Sequence, residues 1–438
     1  MDFSKHPETA VLHSGYRADP TTNAVAVPIY QTTSYQFQDT GHARRLFALE
    51  EMGNIYTRVM NPTNDVFEQR MAALDGGVAA LAVSSGQAAS TLAILNIAGA
   101  GDNIVSSTGL YCGSWNLFAT TMKTMGIEDR FVDPGDPENF RQATDERTRA
   151  YYAETLPNPA LKVFPIAEVA AIGGELGVPL IVDNTAAPVI CRPFDHGAHI
   201  IVYSATKYIG GHGNSIGGVI VDGGSFDWQK HAQRFPMLNQ PDPSYHGAVW
   251  TEATAPMGPV AYIVKARCTL QRDLGMALSP FNTFNFIQGL ETLPLRMREH
   301  CRNAQAVADF LAAHRRVQKV IYPGMSPDDP TEWTGRYLKG GRGGLVGFEL
   351  KDGTDEKAVR FIDSLKMIYH VANIGDTRTL AIHPATSTHQ QLSPEEQLAT
   401  GVTPGYLRLS VGSENIDDIL ADIGQALEAT AAAKRVAA

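Results

Sequence analysis

The chain is short of cysteine, of paired thiols, of long apolar runs and of basic clusters, and each shortage closes off a class of protein. Its four cysteines (Cys112, Cys191, Cys268 and Cys301) stand far apart, with no C-x-x-C pair. Disulfide frameworks and zinc sites need closer or paired spacing, so unpaired, mostly buried thiols are expected. The longest apolar runs, such as residues 78–83, are of strand length and far short of a membrane span. The start of the chain carries Lys5, His6 and Glu8 without the apolar stretch of a signal peptide, so a cytoplasmic location is expected. No basic run interrupts a balance of 36 Lys and Arg against 46 Asp and Glu, a formal charge of −10. Nucleic acid and anionic membranes are therefore not the expected partners.

What is present is an ordinary globular composition on a long chain, 44% hydrophobic and 19% charged. At 438 residues it exceeds one ordinary core, so two packed domains are expected. Residues 1–60, rich in Thr, Pro, Tyr and Gln with a short helix near 41–51, read as an N-terminal arm that must pack on something else to be ordered. Residues 61–290 alternate strand and helix. A helix follows Asn61-Pro62-Thr63-Asn64, puts Phe67, Met71 and Leu74 on one face and stops at Gly76-Gly77. Strands are expected at 78–83, 103–105, 150–153, 178–182, 200–203 and 218–221, with helices at 87–98 and 166–176. Several of these strands are uniformly apolar, as in a largely parallel sheet covered by helices on both faces. Residues 222–258 break the rhythm with Pro, Gly, His and aromatics, the mark of a functional or interfacial loop. Residues 291–438 form a smaller C-terminal α/β unit. A long helix there carries Met297, Cys301, Ala304, Ala308 and Leu311, and strands are expected at 317–322, 345–350, 368–373 and 407–411, with a helix at 356–366. A last helix is capped by Asn415 and turns Ile416, Leu420, Ile423 and Leu427 inward, before an Ala-rich tail.

Three strand ends carry chemistry. Ser204-Ala205-Thr206-Lys207-Tyr208-Ile209-Gly210-Gly211-His212-Gly213 follows the apolar strand 200–203, so Lys207 emerges at its carboxyl end, where open α/β sheets bind ligands. Low-dielectric surroundings there lower an amine's pKa, which imine formation needs, and Ser204 and Thr206 offer hydroxyls for phosphate. A plain surface lysine beside a flexible loop is the alternative. Asp183 ends the strand before it and could pair with a protonated ring nitrogen, an attraction of roughly 5 kcal/mol at about 3 Å before desolvation; capping a turn is its commoner use. Ser84-Ser85-Gly86-Gln87-Ala88-Ala89 opens a helix after strand 78–83, where free N–H groups can cradle phosphate. Alone it is as well read as a ligand-free cap. Arg408 lies on a strand opposite the face of Leu407, Leu409 and Val411, suited to a carboxylate or to a structural salt bridge. His196 with His199, and His383 with His389, lack acidic or Cys partners and read as ordinary rather than metal-binding.

Taken together these segments resemble the Cys/Met-metabolism family of pyridoxal-phosphate enzymes, of fold type I, across essentially the whole chain. Further matching landmarks are Tyr56-Thr57-Arg58-Val59-Met60-Asn61-Pro62-Thr63, Tyr111, Glu154-Thr155-Leu156-Pro157-Asn158-Pro159, Asp183-Asn184-Thr185 and Arg408-Leu409-Ser410-Val411-Gly412. The stretch from Gly210 to Asp222, Phe226-Asp227-Trp228 and Leu278-Ser279-Pro280-Phe281-Asn282 are similar to the O-acetylhomoserine sulfhydrylase branch. The resemblance implies a transferase of methionine biosynthesis with pyridoxal 5′-phosphate held on Lys207 as a Schiff base. It implies that Tyr111 stacks on the cofactor ring and assists proton transfer, that Asp183 holds the ring nitrogen, and that Ser85, Gly86, Gln87, Ser204 and Thr206 bind phosphate. Asn158 would sit beside the cofactor's phenolic oxygen and Arg408 would grip the substrate carboxylate. Tyr56 and Arg58 would reach a neighbouring subunit's phosphate, implying a homo-oligomer, a dimer of dimers, with Pro28, Tyr30 and Tyr35 helping to cover the contact.

The implied reaction is γ-replacement on O-acetyl-L-homoserine by sulfide or a small thiol, giving homocysteine or methionine and acetate. Open alternatives are cystathionine γ-synthase, O-succinylhomoserine sulfhydrylase and methionine γ-lyase-type elimination. Cys112 and Trp115 stand where the branch more often has Gly and Tyr, and Asn214 where Thr is commoner. A dinucleotide-dependent oxidoreductase is disfavoured, because Gly210-Gly211-His212-Gly213 lacks the G-x-G-x-x-G spacing.

Overall fold

A computed structural model describes residues 4–325, 331–388, 390, 395 and 401–431. His389 and the Ala-rich tail lie outside the described residues. Seven strands form the larger sheet: β1 (Ala79–Val83), β2 (Asn103–Ser107), β3 (Glu128–Val132), β4 (Thr148–Glu154), β5 (Leu180–Asp183), β6 (Ile200–Ser204) and β7 (Gly218–Asp222). Their order is β1-β7-β6-β5-β4-β2-β3. β3, β2, β4, β5 and β6 run parallel, while β7 is antiparallel to both β6 and β1.

Side-chain alternation explains the uniformly apolar strands. Leu180, Val182, Ile201 and Tyr203 enter one core, while Ile181, Ile200 and Val202 enter a second core on the opposite face. The first core includes the helices Pro62–Asp75 and Ile166–Leu176, and the second the helix Gly86–Leu95. With helices on both faces, no residue of the central strands can be polar without a partner. β3 was not expected from the sequence. It is an edge strand whose Glu128, Asp129 and Arg130 escape the apolar pattern, because an edge need not be buried on both sides.

Five further strands form the second sheet: β8 (Val317–Ile321), β9 (Leu345–Leu350), β10 (Tyr369–His370), β11 (Leu380–Ile382) and β12 (Tyr406–Ser410), in the order β10-β11-β12-β9-β8. The helices Leu293–Ala313, Asp355–Ser364 and Ile416–Ala429 pack on it through a third core that includes Leu311, Phe361 and Ile423. Ile419 and Ala426 join Ile423 and Leu427 as the buried face of the last helix, with Ile416 and Leu420 at its margin. The strand expected over 368–373 shrinks to two residues, and β11 was missed. After His370 the chain leaves the sheet, and Thr377 N–H reaches the Gly211 carbonyl in the loop after Lys207.

The segment 222–258 packs its aromatics into the second core of the larger sheet rather than forming an open loop. Phe226, Trp228, Phe235 and Trp250 are buried, Trp228 stacks on Tyr262 with centroids 5.4 Å apart, and Trp250 Nε1 donates to Asp242 Oδ2 at 2.8 Å. All four cysteines are free, and Cys191, Cys268 and Cys301 are buried. No described helix is long and apolar enough to cross a membrane.

Asn61 joins the arm to the body. Its Oδ1 accepts the Thr63 N–H at 2.9 Å and caps the helix Pro62–Asp75, while Nδ2 donates to the Tyr30 carbonyl at 2.8 Å and to Tyr35 Oη and Thr57 Oγ1, both at 3.1 Å. The two halves of this amide are separable. Asn61→Asp is expected to keep the cap and lose the arm contacts, so limited proteolysis within residues 20–57 accelerates while the body's Tm changes little. Asn61→Ala loses both and costs about 1–2 kcal/mol more in denaturant unfolding.

Candidate active site

Parallel pairing brings the carboxyl ends of β4, β5 and β6 to one edge of the larger sheet, with Glu154 beside Asp183 in register. Lys207 lies in the turn just after β6 and is half-buried. Its Nζ donates to Asn373 Oδ1 at 2.5 Å. Burial first, and the charge of Arg408 second, lower its pKa to about 8.

The segment between β10 and β11 meets this edge from the second sheet. Asn373 accepts Lys207 on its side chain, and its main-chain carbonyl accepts Arg408 Nη2 at 2.9 Å. Arg408 Nη1 donates to Asn158 Oδ1 at 3.1 Å. The Arg408 side chain is 5% exposed, and its buried Nε has no partner among the described residues. As the sequence pattern implied, Leu407, Leu409 and Val411 point away into the C-terminal core. Lys207, Asn373, Arg408 and Asn158 thus form one hydrogen-bonded chain. Asn373 is not singled out by the sequence, where it closes the strand expected over 368–373; an amide closing an apolar run just before Gly375 is the available signal, and Gly375 has a φ of 73°.

Asp183 is half-buried, and its Oδ1 accepts the Thr185 N–H at 2.9 Å. Burial raises its pKa. Thr185 Oγ1 in turn accepts the Ser204 N–H at 2.8 Å, so the ends of β5 and β6 are tied together. Beside them lies the start of the helix Gly86–Leu95. Ser85 Oγ accepts the Ala88 N–H at 3.0 Å and the Ser85 carbonyl accepts the Ala89 N–H at 3.0 Å, leaving the N–H groups of Gly86 and Gln87 at the open end. Only glycine fits this approach. A Cβ on Gly86 would stand 2.6 Å from Ser204 Cβ, and one on Gly218 would stand 2.1 Å from the Ser85 carbonyl oxygen. Thr206 Oγ1 is engaged with Gly217, accepting its N–H at 3.2 Å.

Tyr111 is 47% exposed at the start of the helix Cys112–Asn116, and its N–H donates to Glu154 Oε1 at 2.6 Å. Gly113 lies under its ring, since a Cβ there would be 2.4 Å from a ring carbon. Cys112 is half-buried, Trp115 stacks on Phe131 at 3.8 Å, and Asn214 is exposed. Tyr56 and Arg58 make other contacts. Arg58 donates to the Arg272 carbonyl and lies over the Tyr56 ring at 5.4 Å. Together with Thr32, Thr33 and the segment 277–280, Arg58 lines a separate cavity of about 360 Å³. The histidines are structural: His196 packs edge-on against Tyr337, His199 Nδ1 accepts the Leu180 N–H, and His383 lies between Thr386 and the Pro404 carbonyl.

A buried-edge lysine, an acid at the next strand end, a helix start with free N–H groups and a buried guanidinium define the class, a pyridoxal-phosphate enzyme of fold type I. The family described as Cys/Met metabolism PLP-dependent enzyme matches residues 8–428, and the chain belongs to it. It is 54% identical over 429 residues to the O-acetyl-L-homoserine sulfhydrylase of Leptospira meyeri, covering 96% of each chain. It is 48% identical to the homocysteine synthase of Schizosaccharomyces pombe, covering 97% of this chain and 99% of the other. Among solved structures it is similar to an O-acetylhomoserine (thiol)-lyase of Campylobacter jejuni, with a TM-score of 0.92, 39% identity and coverage of 97% and 100%. That structure contains N′-pyridoxyl-lysine-5′-monophosphate.

The residues of this chain fit the cofactor: an amine of lowered pKa, an acid without a cationic partner, and glycines that leave a cradle between Ser85 and Ser204. At pH 7 an amine of pKa about 8 is roughly one-tenth neutral, against fewer than one in a thousand for an ordinary lysine. Capture of pyridoxal phosphate by apoprotein should therefore rise with pH to a midpoint near 8 in stopped-flow absorbance. Arg408→Gln removes a neighbouring positive charge and should move that midpoint upward. A wild-type midpoint above pH 10 contradicts the burial argument.

Proposed function

We propose that this protein catalyses γ-replacement on O-acetyl-L-homoserine, exchanging acetate for sulfide or a small thiol and giving homocysteine or methionine. The observation that carries the reading is the junction at Asn373, where the amine of Lys207 and the guanidinium of Arg408 meet on one residue. An amino-acid substrate needs both, an amine for its α-carbon chemistry and a cation for its carboxylate. The names borne by the similar proteins of Leptospira and Schizosaccharomyces support the acyl-homoserine substrate and the homocysteine product.

Bound at this edge, pyridoxal phosphate supplies an electron sink that acidifies the substrate's Cα and then its Cβ. Arg408 holds the substrate carboxylate with its Nε and terminal nitrogens, and Asn158 fixes the plane of that guanidinium. Lys207 Nζ takes the proton from Cα and redistributes it, and its lowered pKa leaves a usable neutral fraction near pH 7. With the cofactor bound, Asp183 would keep a negative charge for its ring nitrogen, while Gly86, Gln87, Ser85, Ser204 and Thr206 would receive the phosphate. Tyr111 would cover the ring face and assist proton transfer as acetate leaves Cγ.

Domain roles follow the same reading: residues 61–290 hold the cofactor, residues 291–438 bring Arg408 and Asn373 to it, and residues 1–60 form an arm that serves a neighbouring subunit. Tyr56 and Arg58 then complete the phosphate site of a second copy.

Purified enzyme with O-acetyl-L-homoserine and sulfide should release homocysteine and acetate. Faster turnover of O-succinylhomoserine would reassign the acyl group, and 2-oxobutanoate formed without sulfide would reassign the reaction to elimination.

Shared sites predict complementation. Lys207→Ala and Arg58→Ala chains, each severely impaired alone, should regain part of the activity after subunit exchange. Fully active monomers in sedimentation at assay concentration contradict the shared site.

A further inference from the structure

Glu154 ends β4 beside Asp183 in the β4–β5 register. Among the described residues neither acid has an ion-pair partner. Glu154 is 7% exposed, whereas Asp183 is half-buried and more open. Glu154 Oε1 accepts the Tyr111 N–H at 2.6 Å. One side chain thus ties the end of β4 to the loop that presents Tyr111. The segment after β4 carries Asn158, whose Oδ1 accepts Arg408 Nη1. Two adjoining carboxylates without a cation resist ionising together. A protonated carboxyl group still has a carbonyl oxygen to accept an N–H group, so protonation does not break this anchor.

We propose that Glu154 is a positioning residue, protonated in the working enzyme, that holds Tyr111 through its main-chain N–H group and leaves Asp183 as the single negative charge facing the cofactor's ring nitrogen. The division follows from exposure. The closed-off acid carries the proton, and the open one, stabilised by the Thr185 N–H, carries the charge. Burial foremost, and the Asp183 charge next, push the Glu154 carboxyl well above the usual carboxylate range, against the pull of the Tyr111 N–H. The other titratable groups facing it are Tyr152 on β4 and Tyr111 and Cys112 at the start of the helix Cys112–Asn116. Each of these has a raised pKa and is neutral at physiological pH, so Asp183 is the charge that Glu154 feels.

This inference rests on the pyridoxal-phosphate reading above, and Glu154→Gln tests the two separately. Glutamine keeps the shape and the carbonyl acceptor and removes the titrating proton. A carboxyl group whose folded-state pKa is raised adds stability that is full below its unfolded pKa and lost as pH rises through the folded value. Wild-type apoprotein should therefore lose Tm relative to Glu154→Gln, by a few degrees, as pH rises from about 4.5 to about 8. Fluorescence titration of apoprotein with pyridoxal phosphate should give affinities within about threefold for the two proteins. Glu154→Met has similar volume and no acceptor. It should lose about tenfold or more in kcat/KM, chiefly through a lowered kcat as Tyr111 loses its anchor. A Tm difference that does not change with pH, or a tenfold loss of cofactor affinity in Glu154→Gln, means an ionised Glu154 and overturns the proposal. Wild-type kinetics in Glu154→Met overturn the positioning role; should that variant not fold, Glu154→Ala, which also lacks the acceptor, takes its place in the same measurement. Wild-type protein that takes up no pyridoxal phosphate refutes the cofactor reading itself, and the proposal with it.

Discussion

Parallel pairing of β4, β5 and β6 sets Glu154 level with Asp183, and Ser204 follows two residues beyond Val202, the partner of Asp183, along the same edge. Every other part of the site is arranged around that edge. The turn after β6 puts Lys207 there, and the tie from Thr185 Oγ1 to the Ser204 N–H holds the ends of two strands together. The helix Gly86–Leu95 can aim its first N–H groups at the same place only because Gly86 and Gly218 let the Ser85 loop approach Ser204 within contact distance. A strand displaced by one residue would turn its acid into the apolar layer, since side chains alternate between faces.

That edge collects charge that a folded protein rarely keeps unpaired. Arg408 is buried with only amide and main-chain oxygens as partners, and Lys207 meets an amide oxygen rather than a carboxylate. Asp183 and Glu154 adjoin each other without a cation. Burying such groups costs several kcal/mol apiece unless they are paired or neutralised. The cost is offset by the three apolar cores, and on β12 by Leu407, Leu409 and Val411, which anchor the opposite face of the strand that carries Arg408. Unpaired cations and anions on one edge are complementary to a zwitterionic substrate and a cationic ring nitrogen, which is the chemistry proposed for it.

The two sheets are joined by polar contacts that converge on the turn after β6. Arg296, from the long helix Leu293–Ala313, donates to the carbonyls of Tyr208, Ile209 and Gly289. Thr377 N–H reaches the Gly211 carbonyl, and the segment through Gly375 presses on Tyr208 so closely that a Cβ on Gly375 would lie 2.6 Å from the Tyr208 nitrogen. The segment carrying Lys207 is therefore held from both sheets, and the distance between Lys207 and Arg408 depends on how they dock.

The sequence by itself determined the local elements and the strand-end chemistry. Apolar runs, the Asn61 and Asn415 caps and the Gly76 stop are local signals, and most of the central strands and principal helices lie close to the expected ranges. Lys207, Asp183 and the Ser85-Gly86-Gln87 turn were legible because each directly follows a recognisable strand. Misreadings arose where local pattern and tertiary contact disagree. β3 is polar because it is an edge, the aromatic segment after β7 packs into the second core, and residues beyond His370 leave the second sheet to meet Lys207. Only the tertiary structure decided that Asn373 joins Lys207 to Arg408, that Glu154 anchors Tyr111, and that Arg58 meets the Arg272 carbonyl. Each is a contact between residues dozens to hundreds of positions apart, and nothing in the periodicity of a strand or helix reports which distant side chain it will face.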